Sequence, residues 1–259
     1  MALVSAHSYG SRYGVGGATA AEHFAAAVAL RPDYVEFDLQ RTADGAFVVL
    51  HDRHLVIGDE SREVATSTLA ELRGGGVDLL TYEEALHLLD DGPSAHLDLK
   101  FAVSETTYDG PDGDTWEVTA AAQAVETLGA GRVLVTTLED RGVAAVRRWA
   151  RDRHPELLVG LSLGQSRRGL PLHRQLRGRL SELFPARRVV ACDPQVIVAN
   201  KWLARLGIAR WTRRRGLLLL VWTVDEPRLL RRWMADPFCW LVTTNRVREA
   251  VRLRDGYRA

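Results

Sequence analysis

The sequence predicts an α/β protein built as one (β/α)8 TIM barrel, and three observations lead to this prediction. The chain has 259 residues, which is close to the usual length of such a barrel. Short apolar runs alternate with segments of helical periodicity along nearly the whole chain, as repeated βα units of a parallel sheet require. Eight runs have the character of strands, which is the number that closes a barrel. We therefore expect a single domain that spans residues 1–259.

The predicted strands and helices alternate along the chain. The strands are predicted at Leu3–His7, Tyr34–Leu39, Ala95–Lys100, Val133–Leu138, Leu157–Leu163, Val189–Asp193, Leu217–Val224 and Trp240–Thr244. The helices are predicted at Thr19–Leu30, Tyr82–Asp90, Trp116–Leu128, Asp140–Arg153, Pro171–Leu183, Lys201–Arg214, Pro227–Met234 and Val247–Arg254. The long loops Ser8–Ala18 and Val103–Thr115 follow strand ends, so we expect them to form part of the active-site face of the barrel.

A further β-like run, Phe47–Asp52, lies too close to the second strand for a parallel crossover. The Asp44–Gly45 pair between them is a turn signal, so the run is predicted to fold back as an antiparallel arm. Pairing about that turn sets His51 opposite Phe37. His51 should therefore return to the mouth of the barrel.

The composition is that of an ordinary soluble globular protein, with 46% hydrophobic and 26% charged residues. No segment is apolar over the length that a membrane span requires. The start of the chain has neither a basic segment nor a long apolar segment of the signal-peptide type, so a cytoplasmic location is expected. Cys192 and Cys239 both lie in apolar surroundings, and we expect two buried free thiols more than a disulfide.

The net charge of +1 conceals opposite halves. Residues 1–130 hold 7 Lys+Arg against 22 Asp+Glu (7 − 22 = −15), and residues 131–259 hold 27 against 11 (27 − 11 = +16). One interpretation is that the acidic half binds a cation and the basic half recruits an anionic substrate or surface. The other is that the two halves of a closed barrel attract each other, and the sequence does not decide between them.

Charged side chains recur at alternate positions near the ends of two neighbouring barrel strands. Glu36 and Asp38 share one face of the second strand, and Asp98 and Lys100 share one face of the third. Carboxylates this close repel unless a cation is present, and oxygen ligands suit Mg2+ or Ca2+. There are simpler alternatives. Glu36 and Asp38 could be surface acids, and Asp98 and Lys100 could form a salt bridge with each other alone.

His7 ends the first strand and His51 ends the returning arm, so both histidines should reach the same mouth. Two imidazoles beside a metal-bound phosphate can act as base or nucleophile and as general acid. A lone strand-end histidine is more often structural. Two that converge on three carboxylates and a lysine favour a catalytic site.

Six motifs follow one another along the chain: Ala6-His7, Tyr34–Gly45, Val48–Asp52, Leu80–Leu86, Asp98–Lys100 and Val221–Val224. In this order they resemble the pattern of the glycerophosphodiester phosphodiesterase family, which belongs to the phospholipase-C-like phosphodiesterase superfamily. The combination is specific because it spans nearly the whole chain, whereas any one motif would be weak.

The resemblance implies a metal-dependent phosphodiesterase that converts a glycerophosphodiester, or a related lipid-derived phosphodiester, into an alcohol and a phosphomonoester. It implies a divalent metal, Mg2+ or Ca2+, on the residues matching Glu36, Asp38 and Asp98. It further implies catalytic histidines at His7 and His51, a phosphate contact from Lys100 and an aromatic pocket wall at Trp222. His51 is the expected general acid and His7 the base or nucleophile, although the two roles could be exchanged.

The sequence departs from the family pattern in the residues that face the substrate. Ser8-Tyr9 stand where the family has Arg-Gly, and Arg12 in the same loop could replace the missing phosphate-binding guanidinium. The usual Pro-Glu-Asn-Thr stretch is absent, and the last strand ends in Thr244-Asn245 where the family has Thr-Asp. These changes bear on substrate identity more than on the metal site.

A related phospholipase D branch, which includes sphingomyelinase-D-like proteins, shares the barrel, both histidines and the Asp-x-Lys strand. It acts on lysophospholipids and forms a cyclic phosphate. The helix near Lys201–Arg214, with Trp202, Trp211 and several arginines, could then lie on an anionic membrane surface. An outer barrel helix with arginines extended into solvent is the more usual meaning of such a segment.

A barrel of this family that binds or transforms another phosphate or diphosphate metabolite is a further alternative, because fold alone does not determine function. A nucleic-acid partner is not expected, since the basic residues spread over successive outer helices. The sequence does not indicate an oligomeric state.

Overall fold

A closed ring of parallel strands forms the centre of the protein, in a computed structural model that describes residues 1–7, 18–101, 115–164 and 171–258. The strands are β1 (Leu3–Ala6), β2 (Tyr34–Arg41), β3 (Phe47–Val49), β4 (His54–Ile57), β5 (Glu60–Glu63), β6 (Ser94–Leu99), β7 (Val133–Thr137), β8 (Leu158–Leu163), β9 (Val196–Asn200), β10 (Leu218–Trp222) and β11 (Leu241–Thr244). Neighbours pair in parallel from β2 through β6 to β11, and β1 pairs with both β11 and β2. This closure confirms the predicted TIM barrel.

Helices surround the barrel and follow most of its strands. They are α1 (Ala20–Ala29), α2 (Leu69–Gly74), α3 (Tyr82–Leu88), α4 (Trp116–Leu128), α5 (Asp140–Ala150), α6 (Leu172–Leu183), α7 (Ala186–Cys192), α8 (Lys201–Leu203), α9 (Ala209–Arg213), α10 (Pro227–Ala235) and α11 (Val247–Arg258). A π-helical turn, Ala204–Ile208, joins α8 to α9, and short 3-10 helices cover Val64–Thr66 and Ala130–Arg132. Three of the helices, α1, α2 and α3, begin with a Thr-x-x-Glu capping box, which satisfies backbone donors at their first turns.

Side-chain alternation on β2 separates the helix-facing layer from the interior. Phe37 packs against Phe24 of α1, with ring centroids 5.3 Å apart, in the main hydrophobic core between the sheet and the helices. Because successive side chains of a strand point to opposite faces, Glu36 and Asp38 must point into the barrel. The pattern that buries this strand therefore also places two carboxylates inside.

The predicted sixth strand, Val189–Asp193, is wrong: those residues belong to helix α7 and the residue that caps it. The strand is β9, seven residues further along the chain. Helix α7 starts after Pro185 and ends at Asp193, whose positive φ of 49° stops the helix. Val190 is 85% exposed, so the apolar run has one buried side only, as an outer helix does. Short apolar runs do not distinguish a strand from a buried helix turn.

The antiparallel arm is confirmed. Strand β3 pairs with β2 so that Leu39 faces Val49, and the same register sets His51 opposite Phe37. Gly45 supplies the positive φ of 86° in the turn between them. The hairpin β4–β5 that follows was not predicted from the sequence, and together with α2 it covers a small separate hydrophobic cluster.

Both cysteines are free and buried, as expected. Within the described ranges, no helix is long and apolar enough to cross a membrane. The loops Ser8–Ala18 and Val103–Thr115, predicted to line the active-site face, lie almost entirely outside the described residues.

Candidate active site at the carboxyl end of the barrel

A cavity of about 400 Å³ opens at the carboxyl ends of the barrel strands. The structure brings seven of the predicted site residues to its wall: His7, Glu36, Asp38, His51, Asp98, Lys100 and Trp222. Arg12, the eighth, lies outside the described residues. Active sites of TIM barrels form at this end, because the loops that follow the strands converge there.

Three carboxylates form an acidic cluster on one wall of the cavity. Glu36 and Asp38 from β2, and Asp98 from β6, each place an oxygen within 4.8 Å of the others. The parallel register aligns Asp38 directly with Asp98. Asp38 is only 2% exposed and Glu36 only 5% exposed, so this negative charge is concentrated away from bulk water. Clustered oxygen donors of this kind fit a hard divalent cation such as Mg2+ or Ca2+.

Lys100 is part of this cluster. Its Nζ is paired with Asp98 and lies 3.2 Å from Asp38 Oδ1. Burial acts to lower the pKa of Lys100, but the carboxylates of Asp98, Asp38 and Glu36 outweigh it and raise that pKa above its ordinary value. The ammonium group is therefore held charged at the cavity wall. The Asp98–Lys100 salt bridge considered from the sequence is present, but it is shared with Asp38.

A chain of hydrogen bonds lies behind Asp98. Thr136 Oγ1 is 2.9 Å from Asp98 Oδ1, His96 Nε2 is 3.2 Å from Thr136 Oγ1, and Ser5 Oγ is 3.2 Å from His96 Nδ1. Burial lowers the pKa of His96 to about 3, so its ring is neutral. Since a carboxylate only accepts, the donors run from Ser5 through His96 and Thr136 to Asp98. This chain fixes the orientation of Asp98 toward the cluster.

His51 reaches the cavity from the end of the antiparallel arm. Its Nδ1 lies 2.7 Å from Asp52 Oδ1, and its side chain is 55% exposed. Gln40 of β2 donates from Nε2 to the backbone oxygen of His51 at 3.3 Å, which ties the arm to the barrel. The Asp52 carboxylate accepts from Nδ1 and orients the ring, and a protonated Nε2 can then donate to a leaving group.

His7 occupies a different environment at the end of β1, the strand next to β2 in the barrel. Its Nδ1 lies 3.1 Å from Asn245 Oδ1, and its Nε2 lies 3.4 Å from Thr223 Oγ1. Burial lowers the pKa of His7 below 6.5, although Asn245 and the charges of Asp38 and Asp225 act in the opposite direction. The neutral ring is therefore favoured, and a neutral imidazole can accept a proton or act as a nucleophile.

The wall formed by β8, β9 and β10 includes residues that were not predicted from the sequence. Asn200 lines the cavity at the end of β9, and it was missed because that strand was placed seven residues too early. Gly164 after β8 has a φ of 105°, and a Cβ there would lie 2.7 Å from the Cβ of Asn200. Trp222 lines the same wall, and its buried Nε1 has no hydrogen-bond partner among the described residues.

Comparison with known proteins agrees with this geometry. Residues 19–249 match the model of the glycerophosphoryl diester phosphodiesterase family. The chain belongs to this family. Membership makes it a phosphoric diester hydrolase, and the match includes every predicted site residue except His7 and Arg12. No curated protein sequence matches this chain.

Solved structures show the same fold over the whole chain. A protein from Silicibacter pomeroyi DSS-3, assigned as a glycerophosphoryl diester phosphodiesterase, has a TM-score of 0.74 at 22% identity, covering 99% of this chain and 94% of its own. A glycerophosphodiester phosphodiesterase from Parabacteroides distasonis has a TM-score of 0.71 at 18% identity, covering 100% and 98%. An Oleispira antarctica phosphodiesterase in complex with the product sn-glycerol-3-phosphate has a TM-score of 0.68 at 15% identity, covering 98% and 97%.

Proposed function

We propose that the protein hydrolyses a glycerophosphodiester, or a related lipid-derived phosphodiester, to an alcohol and a phosphomonoester. One observation carries the proposal: a buried cluster of three carboxylates and a lysine shares one cavity with two histidines in different electrostatic environments. This arrangement suits a reaction in which negative charge is stabilised at one place while protons are accepted and donated at others.

We assign the acidic cluster, Glu36, Asp38 and Asp98, as the ligands of a divalent cation, Mg2+ or Ca2+. Their oxygens are close enough to share one ion, and they carry a formal charge of −3 against the single charge of Lys100. A bound cation would supply Lewis acidity toward the phosphate oxygens.

The chain's own residues divide the remaining tasks. Lys100 holds its charge at the cavity wall, where it stabilises negative charge that develops on the phosphate. As base, Nε2 of His7 takes a proton from the attacking water while the phosphorus–oxygen bond to the alcohol breaks, and His51, held by Asp52, protonates the leaving oxygen. As nucleophile, Nε2 of His7 displaces the alcohol and forms a phosphoryl-histidine, which water then hydrolyses. The ring of Trp222 forms the wall against which the alcohol portion of the substrate packs.

The glycerol-type substrate is supported by family membership and by one related structure. The Oleispira antarctica phosphodiesterase was solved with sn-glycerol-3-phosphate as its product. The cavity here, about 400 Å³, has room for a group of that size, and its polar cluster and aromatic wall suit a phosphate attached to a small polyol.

Phosphorus NMR of the purified protein tests this proposal. The samples contain glycerophosphocholine or lysophosphatidylcholine, each with Mg2+, with Ca2+ and with EDTA. We expect a glycerol-phosphate signal from glycerophosphocholine that requires the metal. A cyclic-phosphate signal from lysophosphatidylcholine would support the phospholipase D-like alternative instead. Unchanged spectra from folded, metal-supplied protein would contradict both and favour a barrel of this family with another phosphorylated substrate.

An exposed tryptophan near the cavity is the reason for including a lipid substrate in this test. Trp202 follows Asn200 by two residues and is 55% exposed, with the guanidinium of Arg205 5.6 Å from its ring centroid. Trp211, by contrast, packs on the hydrophobic core and lies under Arg215. Of the two tryptophans on this segment, only Trp202 is available for membrane contact, which stays a prediction.

A further inference from the structure

We propose that Asn245 and Asp225 are positioning residues that hold His7 with its proton on Nδ1, and that they thereby leave Nε2 of His7 to act as base or nucleophile. The catalytic part of this inference rests on the proposed function. The state of the His7 ring can nevertheless be measured without any substrate. Both residues follow the ends of strands that lie on the other side of β1 from β2: Asp225 comes after β10 and Asn245 directly after β11.

Asp225 is anchored by several donors from the end of β11. The backbone N of Asn245 donates to Asp225 Oδ1 at 2.9 Å, and Thr244 Oγ1 lies 3.2 Å from the same oxygen. The other carboxylate oxygen, Oδ2, accepts from Asn245 Nδ2 at 2.7 Å. One oxygen therefore faces the backbone and the other faces the amide of Asn245.

The direction of these bonds fixes the orientation of the Asn245 amide. A carboxylate has no proton to donate, so the amide group that faces Asp225 must be the NH2 group. The amide oxygen then faces His7, where Oδ1 lies 3.1 Å from Nδ1. An amide oxygen only accepts, so His7 must carry its proton on Nδ1. In the neutral ring, Nε2 is left with a free lone pair, toward which the hydroxyl of Thr223 can donate.

The hydrogen-bond partner of Nδ1 differs between His7 and His51. Nδ1 of His51 meets the Asp52 carboxylate directly, whereas Nδ1 of His7 meets a neutral amide, with the Asp225 carboxylate one residue further away. The amide of Asn245 fixes the tautomer of His7 without placing a charge against its ring. An Asp at this position, as in the family pattern, would bring a carboxylate into direct contact with His7 and favour its charged form.

A structural role for the pair is the competing explanation, since these bonds also join the loop after β10 to the start of α11. The substitution Asp225→Asn distinguishes the two. The new residue should keep its oxygen toward the backbone N of Asn245 and turn its NH2 toward the Asn245 side chain. That amide must then rotate and present NH2 to His7, which forces the proton to Nε2. The substitution therefore keeps the size of the side chain but reverses the direction of the hydrogen bonds from residue 225 through Asn245 to His7.

The experiment is long-range 1H–15N NMR of the histidine rings in the full chain at neutral pH, with His7 assigned by a His7→Gln variant. For the wild type we expect a protonated Nδ1 and an unprotonated Nε2 on His7. For Asp225→Asn we expect an unprotonated Nδ1 and a protonated Nε2. The kcat of Asp225→Asn should fall about 10²–10⁴-fold on whichever phosphodiester is turned over. Asp236→Asn is the matched control, because Asp236 Oδ1 likewise accepts a backbone N–H at 2.9 Å but lies away from the cavity. It should change neither readout.

A wild-type His7 protonated on Nε2 would overturn the inference, whether or not the protein is active. An Asp225→Asn variant that is folded and keeps the wild-type tautomer would also overturn it. If the proposed function fails and no substrate is turned over, the ring spectra still decide the positioning role. If Asp225→Asn does not fold, a wild-type ring protonated on Nε2 would still overturn the inference.

Discussion

The two walls of the cavity use charge in different ways. On the wall of β2 and β6, charged side chains touch one another directly, with Lys100 between Asp38 and Asp98. On the wall of β1, β10 and β11, the Asp225 carboxylate reaches His7 only through the neutral amide of Asn245. We propose that the first arrangement holds a cation and a phosphate. We propose that the second fixes the protonation site of the His7 ring.

The largest expected effect comes from removing the imidazole of His51, which reaches the cavity from the antiparallel arm. His51→Ala should lower kcat by about 10²–10⁴-fold, because the proton for the leaving oxygen is lost. The side chain is 55% exposed, so thermal unfolding should be unchanged. Turnover by 31P NMR and the unfolding midpoint are the measurements, with the exposed His54→Ala of β4 as the control. Activity retained in His51→Ala would remove it from the mechanism.

A pair of threonines compares the two walls directly. Thr136→Val removes the hydroxyl that donates to Asp98, and we expect divalent-ion affinity to fall about 10-fold to 100-fold, because groups that orient a ligand have that influence. Thr243→Val is the matched control on the wall of β1, β10 and β11, where the buried hydroxyl has no hydrogen-bond partner among the described residues. Equilibrium dialysis with Mg2+ and Ca2+ measures both. Equal affinities in the two variants would show that the chain behind Asp98 has no influence on the cluster.

The pH dependence of kcat/KM tests the wall of β1, β10 and β11. Burial lowers the pKa of His7 below 6.5, and the ring must be neutral to accept a proton, so the acidic limb of the profile should lie below pH 6.5. Asn245→Asp places a carboxylate directly beside His7. It favours the charged ring, so it should move that limb to higher pH. A limb that stays in place in Asn245→Asp, in a variant that keeps its fold, would assign the limb to another group.

The smallest expected effect is that of Val190→Lys, which tests, together with Ile197→Lys, whether α7 or β9 supplies the barrel strand. Val190 on α7 is 85% exposed, so Val190→Lys should change the free energy of unfolding by less than about 0.5 kcal/mol. Ile197 on β9 is fully buried, and Ile197→Lys should cost more than about 4 kcal/mol because it buries an unpaired charge. Urea unfolding followed by circular dichroism measures both. A strongly destabilising Val190→Lys would support the original strand assignment.

Sequence reasoning was sufficient where the signal was local. The two-residue spacing of Glu36 and Asp38 placed both carboxylates inside the barrel, and the Asp44–Gly45 turn placed His51 at the mouth. The spacing rule works because side chains alternate along a strand, and the turn signal works because it sets the register of the returning arm.

Sequence reasoning failed where the outcome depends on contacts between distant segments. The apolar runs at Val189 and Val196 look alike, and only packing against the barrel decides which is a strand. Asn245 was noted as a departure from the family pattern, but its role depends on Asp225, 20 residues away on a neighbouring loop. The spacing of residues along the sequence does not predict the direction of such hydrogen bonds.

The most direct test of the central claim, that the acidic wall holds a divalent cation, is equilibrium dialysis of the wild type and of Asp38→Asn with Mg2+ and with Ca2+. Asp59→Asn, on the exposed hairpin turn, serves as the control. The account predicts one ion bound per chain in the wild type and in Asp59→Asn, and at least about 10-fold weaker binding in Asp38→Asn. Equal binding by all three proteins, or binding by none, would contradict the assignment of Glu36, Asp38 and Asp98 as metal ligands.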